Sequence, residues 1–548
     1  MMIANDGREE FLADGLPGGD ALPPAPAPTP GRHRVPRPPP GRAHGKTRTG
    51  ARMNDDYDAI VIGAGNAGLS SAATLQRGGR RTLLLERHNV PGGAATSFVR
   101  GRFEFEVSLH QLGGMGNGPL RQVLDQLDVT RRLTFVEERD LYRTVVPGVL
   151  DITLPAEWKG VADAIEDSFP GNRARVESFL ELCYEVGNWQ LVARASLHQP
   201  QEQAAWLRGL SRVRRNGLRP AKEVLDEYFD DDRIKHVLAS YWSYNGQPPS
   251  TLPFMDLARI LTLYLEYKPY HLRGGSQAMS SAMLDSFLQA GGDVRFNSDV
   301  AEVRTRQGTV VGVRLANGDE YDARMVVSNA SAITTYTRML DPTVVPDSVL
   351  RDLRGRKLGI SGTIIYLGLD ATAHELGFTA GTNMITSELA EKTVRDSMFS
   401  LGPTPYVVAS CYDVDPIGFA PPRASHVAIF SVQYGRVWDT LAPEDYARAK
   451  YAYAQSQLDL VEVISPGLRD VIEEAEVATP HILRRYLGHP GGAIYGFDQD
   501  ITDSWLFRDT DLKPNVPGLF LLSAWTTAGG YNPTIVTAAR FSQRLLQL

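Results

Sequence analysis

The sequence predicts an α/β protein of two lobes, one a Rossmann-type dinucleotide-binding unit and the other an α+β lobe. Three observations predict it. A strand, a glycine-rich turn and a helix follow one another from Tyr57; a second glycine-dense passage from strand to helix spans Ser523–Phe541; and 548 residues exceed the ~100–200 of one domain. The charged fraction of 22% and hydrophobic fraction of 43% are those of a globular chain. A formal net charge of -7 gives no electrostatic case for a nucleic-acid partner. Two distant cysteines, Cys183 and Cys411, offer neither a disulfide framework nor a CxxC metal site, so no metal is expected.

Residues 1–52 are rich in Pro, Gly and Arg and nearly free of large apolar side chains, as in APAPTPGRHRVPRPPPGRAHGKTRTGAR. They cannot bury enough surface to order themselves and read as a disordered extension, with Met53 the expected start of the ordered chain. They also lack the apolar stretch of a secretory signal, so a cytoplasmic location is expected.

Order begins at YDAIVIGAGNAGLSSAATLQRGGRRTLLLERHNVPGGAATSF. Tyr57–Ile62 is the apolar run of a buried parallel strand, and Leu69 to Leu75 shows helical spacing. Gly63, Gly65 and Gly68 form GxGxxG: the first permits the tight turn, the second admits a pyrophosphate against the backbone, and the third lets helix and strand pack closely. Asn66 and Ala67 open the helix, whose N-terminal dipole favours an anion. A second strand, Arg81 to Leu85, delivers Glu86, with Arg87 beside it, where a carboxylate accepts hydrogen bonds from an adenosine ribose. Pro91, Gly92 and Gly93, followed by Ala94 and Ala95, begin a loop whose missing side chains allow contact with a further part of the cofactor.

Strand, GxGxxG, Glu and PGG in this order resemble the flavoprotein superfamily of amine oxidases, phytoene desaturases, carotenoid isomerases and retinol saturases, and the resemblance implies tightly but non-covalently bound FAD. HLRGGSQAMSSAMLDSFLQAGGDVRFNSDVAEV (271–303), the VVSNA of 326–330 and TPHILRRYLGHPGGAIYGFDQ (479–499) are similar to blocks of the phytoene-desaturase-like branch. In it Val300 would reach the adenine through its backbone. The fold so implied is a two-lobed flavoprotein with a discontinuous Rossmann-type FAD-binding domain (53–110, 266–345 and 486–548) and an α+β substrate domain (111–265 and 346–485).

The passage SAWTTAGGYNPTIVTAARF then has a physical reading. Leu519 to Leu522 is a strand; Ala528 to Gly530 removes bulk where the backbone must pass a planar ring, with Ala524, Trp525 and Gly530 expected at the cofactor; Asn532-Pro533 reads as N-cap and N1. Amides near Thr534 and Ile535 would point at the flavin N1 and C2 carbonyl and stabilise the anionic reduced state. Two departures from the family stand out: Glu106 and Ser108 replace an Asp-x-Gly, and Ser523, Ala524 and Trp525 replace an acidic pair before the last loop.

Moving hydrogen at a C=C bond needs a flavin N5 against carbon and a proton source or sink. His110 is the first proton-transfer candidate, with Tyr495 and Tyr531 as pocket-lining or proton-donating alternatives. Structural roles for all three remain open. The resemblance implies a conjugated, largely apolar polyene as substrate, carotenoid- or retinoid-like or a natural product of a bacterial biosynthetic pathway. The likeness of 479–499 to the saturases favours reduction or reductive cyclisation, as of polyene tetramate macrolactams. NADPH would then serve as a transient reductant, since no second GxGxxG is present. A desaturase or isomerase, an amine or alcohol oxidase, and a flavin-free binding module are the alternatives. AAWLRGLSRVRRNG places Trp206, Leu210 and Val213 on one helical face and Arg208, Arg212 and Arg215 largely opposite, a patch suited to peripheral contact at the inner membrane surface.

Overall fold

A strand buried on both faces needs an apolar run, and YDAIVI supplies one. The computed structural model describes residues 57–189, 211–415, 417–508 and 514–548. In it β1 (Tyr57–Ile62) is buried at every position but Asp58. Helix α1 (Asn66–Arg77) and β2 (Thr82–Leu85) follow, then a hairpin of β3 (Ser97–Arg100) and β4 (Phe103–Glu106). Next come β5 (Leu112–Gly113), β6 (Phe135–Glu137), β7 (Asp140–Val146) and β8 (Leu150–Pro155). Helix α2 (Phe254–Tyr267), β9 (Pro269–Leu272) and helix α3 (Gly275–Gln289) lead to β10 (Asp293–Arg295), β11 (Val300–Arg306), β12 (Thr309–Leu315) and β13 (Glu320–Ser328). The rest comprises β14 (Ser361–Leu369), β15 (Thr382–Thr386), β16 (Tyr406–Cys411), β17 (Ser425–Gln433), helix α4 (Tyr446–Val461), β18 (Ile472–Ala478), helix α5 (Pro480–Leu487), β19 (Leu519–Leu521) and helix α6 (Tyr531–Leu545).

One seven-stranded sheet runs β10-β2-β1-β13-β12-β11, with β19 also on β13. Its centre is parallel: β1 pairs with β2 and β13, β10 with β2 and β19 with β13. Strands β11 to β13 are antiparallel, and Gly318, at φ 93°, makes the turn expected at Asn317-Gly318. Helix α1 lies between this sheet and α6, and Ser70 Oγ donates to the Ile535 carbonyl at 2.8 Å, so the first and last helices are fastened together.

The second sheet runs β18-β14-β17-β16-β15-β7-β8. Strands β14 to β17 are buried along their whole length, which requires cover on both faces. Helix α4 lies against β14 and β17, and its Gln457 donates to the Thr363 carbonyl (2.9 Å) and Ser431 Oγ (3.0 Å). The aromatic stretch from 228 to 267 forms helices whose apolar side chains join the largest core. A small antiparallel sheet, β5-β9-β6, completes the fold.

Two expectations fall wholly or partly outside the described residues: the extension 1–52, and residues 206–210 of the basic patch. Arg212, Val213 and Arg215 of that patch are described, and Arg212 pairs with Glu185 at 2.8 Å. Among the described residues no helix is long and apolar enough to cross a membrane.

Candidate functional site

The glycine turn after β1 is built for backbone approach. Gly63 turns at φ 90° with its amide on the Leu85 carbonyl (2.7 Å), and a Cβ on Gly68 would collide with the Gly63 carbonyl oxygen. Gly92, at φ 125°, has no room for a Cβ beside the Ala95 carbonyl, and it bridges Gly65, so the PGG loop lies directly on the GxGxxG turn. Glu86 is buried and accepts from the amides of Ala64 (2.6 Å) and His88 (2.8 Å), at the C-terminal edge of β2. The segment entering β11 is tied to the same loop, with the Ser298 amide on the Glu86 carbonyl. That brings Val300 to this end of the sheet, its side chain buried in the core.

The residues fit FAD. Helix α1 has no side-chain cap and no acid in its first turn, and the buried Asn66 Oδ1 has no protein partner. A glycine cradle, a ribose-binding acid and an uncapped helix N-terminus are the donor set a dinucleotide needs. Asn329, in VVSNA just after β13, is an addition that the glycine motif alone did not reveal. With Oδ1 accepting from the Gly65 amide and Nδ2 donating to the Leu522 carbonyl, each at 3.2 Å, it ties β13 and the β19 exit to the turn.

Other predicted cofactor residues sit differently from expectation. Arg87 is exposed and donates to the Tyr486 carbonyl at the end of α5, where His88 Nε2 also bonds at 2.7 Å. Its charge thus complements a helix C-terminus. Trp525 is 1% exposed and edge-packed on Phe497 and His489, a pin between loops. Ala524 presents its carbonyl to the buried Arg508. Helix α6 starts two residues earlier than Asn532-Pro533 predicted: Gly530, at φ 96°, is the N-cap and Tyr531 the first helical residue. The Asn532 side chain instead donates to the Gly113 carbonyl. The Thr534 amide is spent on the Gly530 carbonyl, and Ile535 is fully buried. The amides without an intrahelical acceptor are therefore those of Tyr531 and Asn532, not those at 534 and 535. A cavity of about 290 Å³ lies along β19 and shares only Trp525 with the predicted residues.

The chain from the end of β4 into β5, EVSLHQLGG, carries the chemistry across to the second sheet. Glu106 is fully buried and accepts from the Ser276 amide (2.6 Å) and Oγ (2.7 Å) and from the amides of Leu109 and Ser108. Burial pushes its carboxyl up, against the pull of these hydrogen bonds. It therefore organises the loop instead of a cofactor contact. Ser108 Oγ meets Ala94 O and the Tyr531 hydroxyl, both at 2.8 Å. Tyr495 packs on Gly529, and burial raises its hydroxyl to about 12; Tyr531 is raised further, by burial and then by Glu106. Both are neutral phenols at ordinary pH.

His110 bonds through Nδ1 to Ser410 Oγ (2.8 Å) on β16 and lies against Tyr244 and Phe430. Burial, and then the neighbouring His271, lower it to about 4, so it is a neutral imidazole at pH 7. A ring lowered in this way holds a proton weakly, so it passes one on instead of storing it. Behind it stand Glu138, His271 and Asp415, whose polar atoms lie within 4.8 Å of one another. His271 falls in a block picked out from sequence, but nothing local marks Glu138 or Asp415 as its partners.

Comparison with known proteins agrees with this construction. The family model described as "Flavin containing amine oxidoreductase" matches residues 66–546. An all-trans-retinol 13,14-reductase from Danio rerio is 26% identical over 483 residues, covering 82% of this chain and 79% of that one. A phytoene desaturase (neurosporene-forming) from Cereibacter sphaeroides is 25% identical over 506 residues, covering 90% and 95%. Among solved structures, an oxidoreductase from Methanosarcina mazei superposes with a TM-score of 0.61 at 15% identity, covering 89% of this chain and all of that one. The chain belongs to the flavin containing amine oxidoreductase family, in its phytoene-desaturase-like branch, and is an FAD-dependent oxidoreductase.

Proposed function

We propose that the protein reduces C=C bonds of an apolar conjugated polyene, a reaction that in a biosynthetic setting extends to reductive cyclisation, as of a polyene tetramate macrolactam. The observation that carries the reading is the junction at His110: the segment leaving the flavin cradle places an imidazole on Ser410 of the second sheet, among Tyr244 and Phe430. An apolar, aromatic wall with one neutral imidazole suits a substrate without charge. The two relatives, a retinol reductase and a phytoene desaturase by their names, support a polyene.

Bound FAD supplies two-electron hydride chemistry at N5. The GxGxxG turn with Asn66 would hold its diphosphate, Glu86 its ribose, and the PGG loop the adjoining part of the molecule. His110 exchanges a proton at Nε2 while Ser410 fixes its Nδ1. Tyr531, held by Ser108, and Tyr495 would line the substrate pocket as neutral phenols, and the aromatic wall would exclude water. An external two-electron donor such as NADPH reloads the enzyme, and the proposal includes a cytoplasmic site of action with peripheral membrane contact through residues 206–215.

Anaerobic incubation of FAD-loaded protein with a reductant and retinoid or carotenoid polyenes tests the reading. Products heavier by two hydrogens are expected. In separate incubations without the reductant, products lighter by two hydrogens would make it a desaturase, and, with oxygen admitted, hydrogen peroxide released on amine addition would make it an oxidase.

A further inference from the structure

His271 lies on β9, the middle strand of the small sheet, with β5 on one side and β6 on the other. It is 2% exposed. The strand order dictates its neighbours: Glu138 follows β6, His110 precedes β5, and Asp415 follows β16, the strand that also carries Ser410. Glu138 Oε1 stands 3.5 Å from Nε2 and Asp415 Oδ2 3.2 Å from Nδ1. The carboxylates thus face opposite ring nitrogens at ion-pair distance, with no hydrogen bond completed to either. A metal would draw both toward one nitrogen, whereas an imidazolium offers an N–H on each side. Gln111 steadies the Glu138 carboxylate from its other oxygen (2.9 Å) and is itself held by the Tyr241 hydroxyl (2.9 Å).

We propose that His271 is a positioning residue for this site: held as an imidazolium between Glu138 and Asp415, it pins the His110 segment from behind and sets a fixed positive charge beside it. The inference rests on the reading of His110 as the group that exchanges a proton with substrate. Burial pulls the His271 ring down, but Glu138 and Asp415 together outweigh it and leave it raised. Its charge in turn adds to burial in keeping His110 neutral. The other groups facing the clamp are Tyr412, with its ring 5.7 Å away, and Asp413 on the β16 side; Asp140 and Arg139 lie beyond Glu138 and Asp415. Desolvation raises Glu138 to about 7, so the clamp gains one negative charge as pH rises through neutrality.

The test is a histidine NMR titration of the FAD-loaded full chain carrying ¹³C-labelled histidine, with His271→Asn to assign the signal. His271 is expected to titrate above the ordinary 6.5 and to fall in Asp415→Asn. Glu138→Gln is expected to lower it as well, and to remove the inflection near pH 7 from the rate of flavin reoxidation by polyene. Titration of wild-type His271 at or below about 6.5 would overturn the proposal. So would an unmoved signal in both carboxylate variants, or a stoichiometric metal in the purified protein. If the variants fail to fold, the wild-type titration decides alone. Absence of reaction with any polyene would count against the proposed substrate and leave the titration standing.

Discussion

The flavin cradle and the His110 wall are made in opposite ways. The cradle consists of backbone: Gly63, Gly65, Gly68, Gly92 and Gly93 act by lacking side chains, and all five lie within one short stretch of chain. The wall consists of side chains brought together across the fold, His110 with Ser410 and His271 with Glu138 and Asp415. A cofactor common to many enzymes is held by local geometry, whereas the chemistry that distinguishes them is assembled over long range.

The sharpest break in this comparison comes from Gly68→Ala set against Gly355→Ala. The first puts a Cβ into the Gly63 carbonyl, and the second meets nothing within 4 Å. Gly68→Ala is expected to give colourless protein after FAD reconstitution and to cost about 1–3 kcal/mol in denaturant unfolding. Gly355→Ala is expected to keep its flavin and lie within about 0.5 kcal/mol of wild type.

On the wall, His110→Ala is expected to retain the oxidised flavin spectrum but slow turnover about 10²–10⁴-fold. Glu106→Ala leaves four buried donor contacts without their acceptor and is expected to destabilise by about 3 kcal/mol or more, measured by chemical denaturation.

A subtler difference is acid sensitivity. Burial lowers His110 and His236 to about 4 and His426 to about 3. Below the unfolded value of about 6.5 the unfolded chain binds protons that the native state refuses, so stability falls as pH drops from there toward each lowered value. His426 lies between Phe105, Tyr412 and Phe419, and neither ring nitrogen has a hydrogen-bond partner. His426→Phe is therefore expected to flatten the pH dependence of denaturant stability between about pH 6.5 and 3. An unchanged slope would place that acid sensitivity elsewhere. A small effect is expected of Tyr531→Phe, which loses the hydroxyl's contacts with Ser108 and Ser276, at about 1 kcal/mol.

What could be read from sequence follows the same division. The strand, turn and helix from Tyr57, the acid at Glu86 and the Asn317-Gly318 hairpin were legible because each depends on neighbours within a few residues. The start of α6 was misplaced because Asn-Pro is a strong local capping signal, but tertiary contact with Gly113 claimed the Asn532 side chain and left Gly530 as the cap. Glu106 could be noticed as a departure but not explained, since its partner Ser276 is 170 residues away. The clamp on His271 was invisible for the same reason: Asp415 reaches it only through the order of the second sheet. Arg87 and Trp525 stand beside motifs, and the fold gives their side chains partners that adjacency does not show: the Tyr486 carbonyl for Arg87, the rings of Phe497 and His489 for Trp525.

The most direct test of the whole account joins the two regions in one experiment: anaerobic stopped-flow reoxidation of dithionite-reduced, FAD-loaded protein by a conjugated polyene, in wild type and in His110→Ala. The account predicts the same flavin spectrum in both, with oxidised bands returning as polyene absorbance shifts to shorter wavelength in wild type and both changes slowed at least about 100-fold in the variant. Equal rates in the two proteins, or protein that takes up no flavin at all, would contradict it.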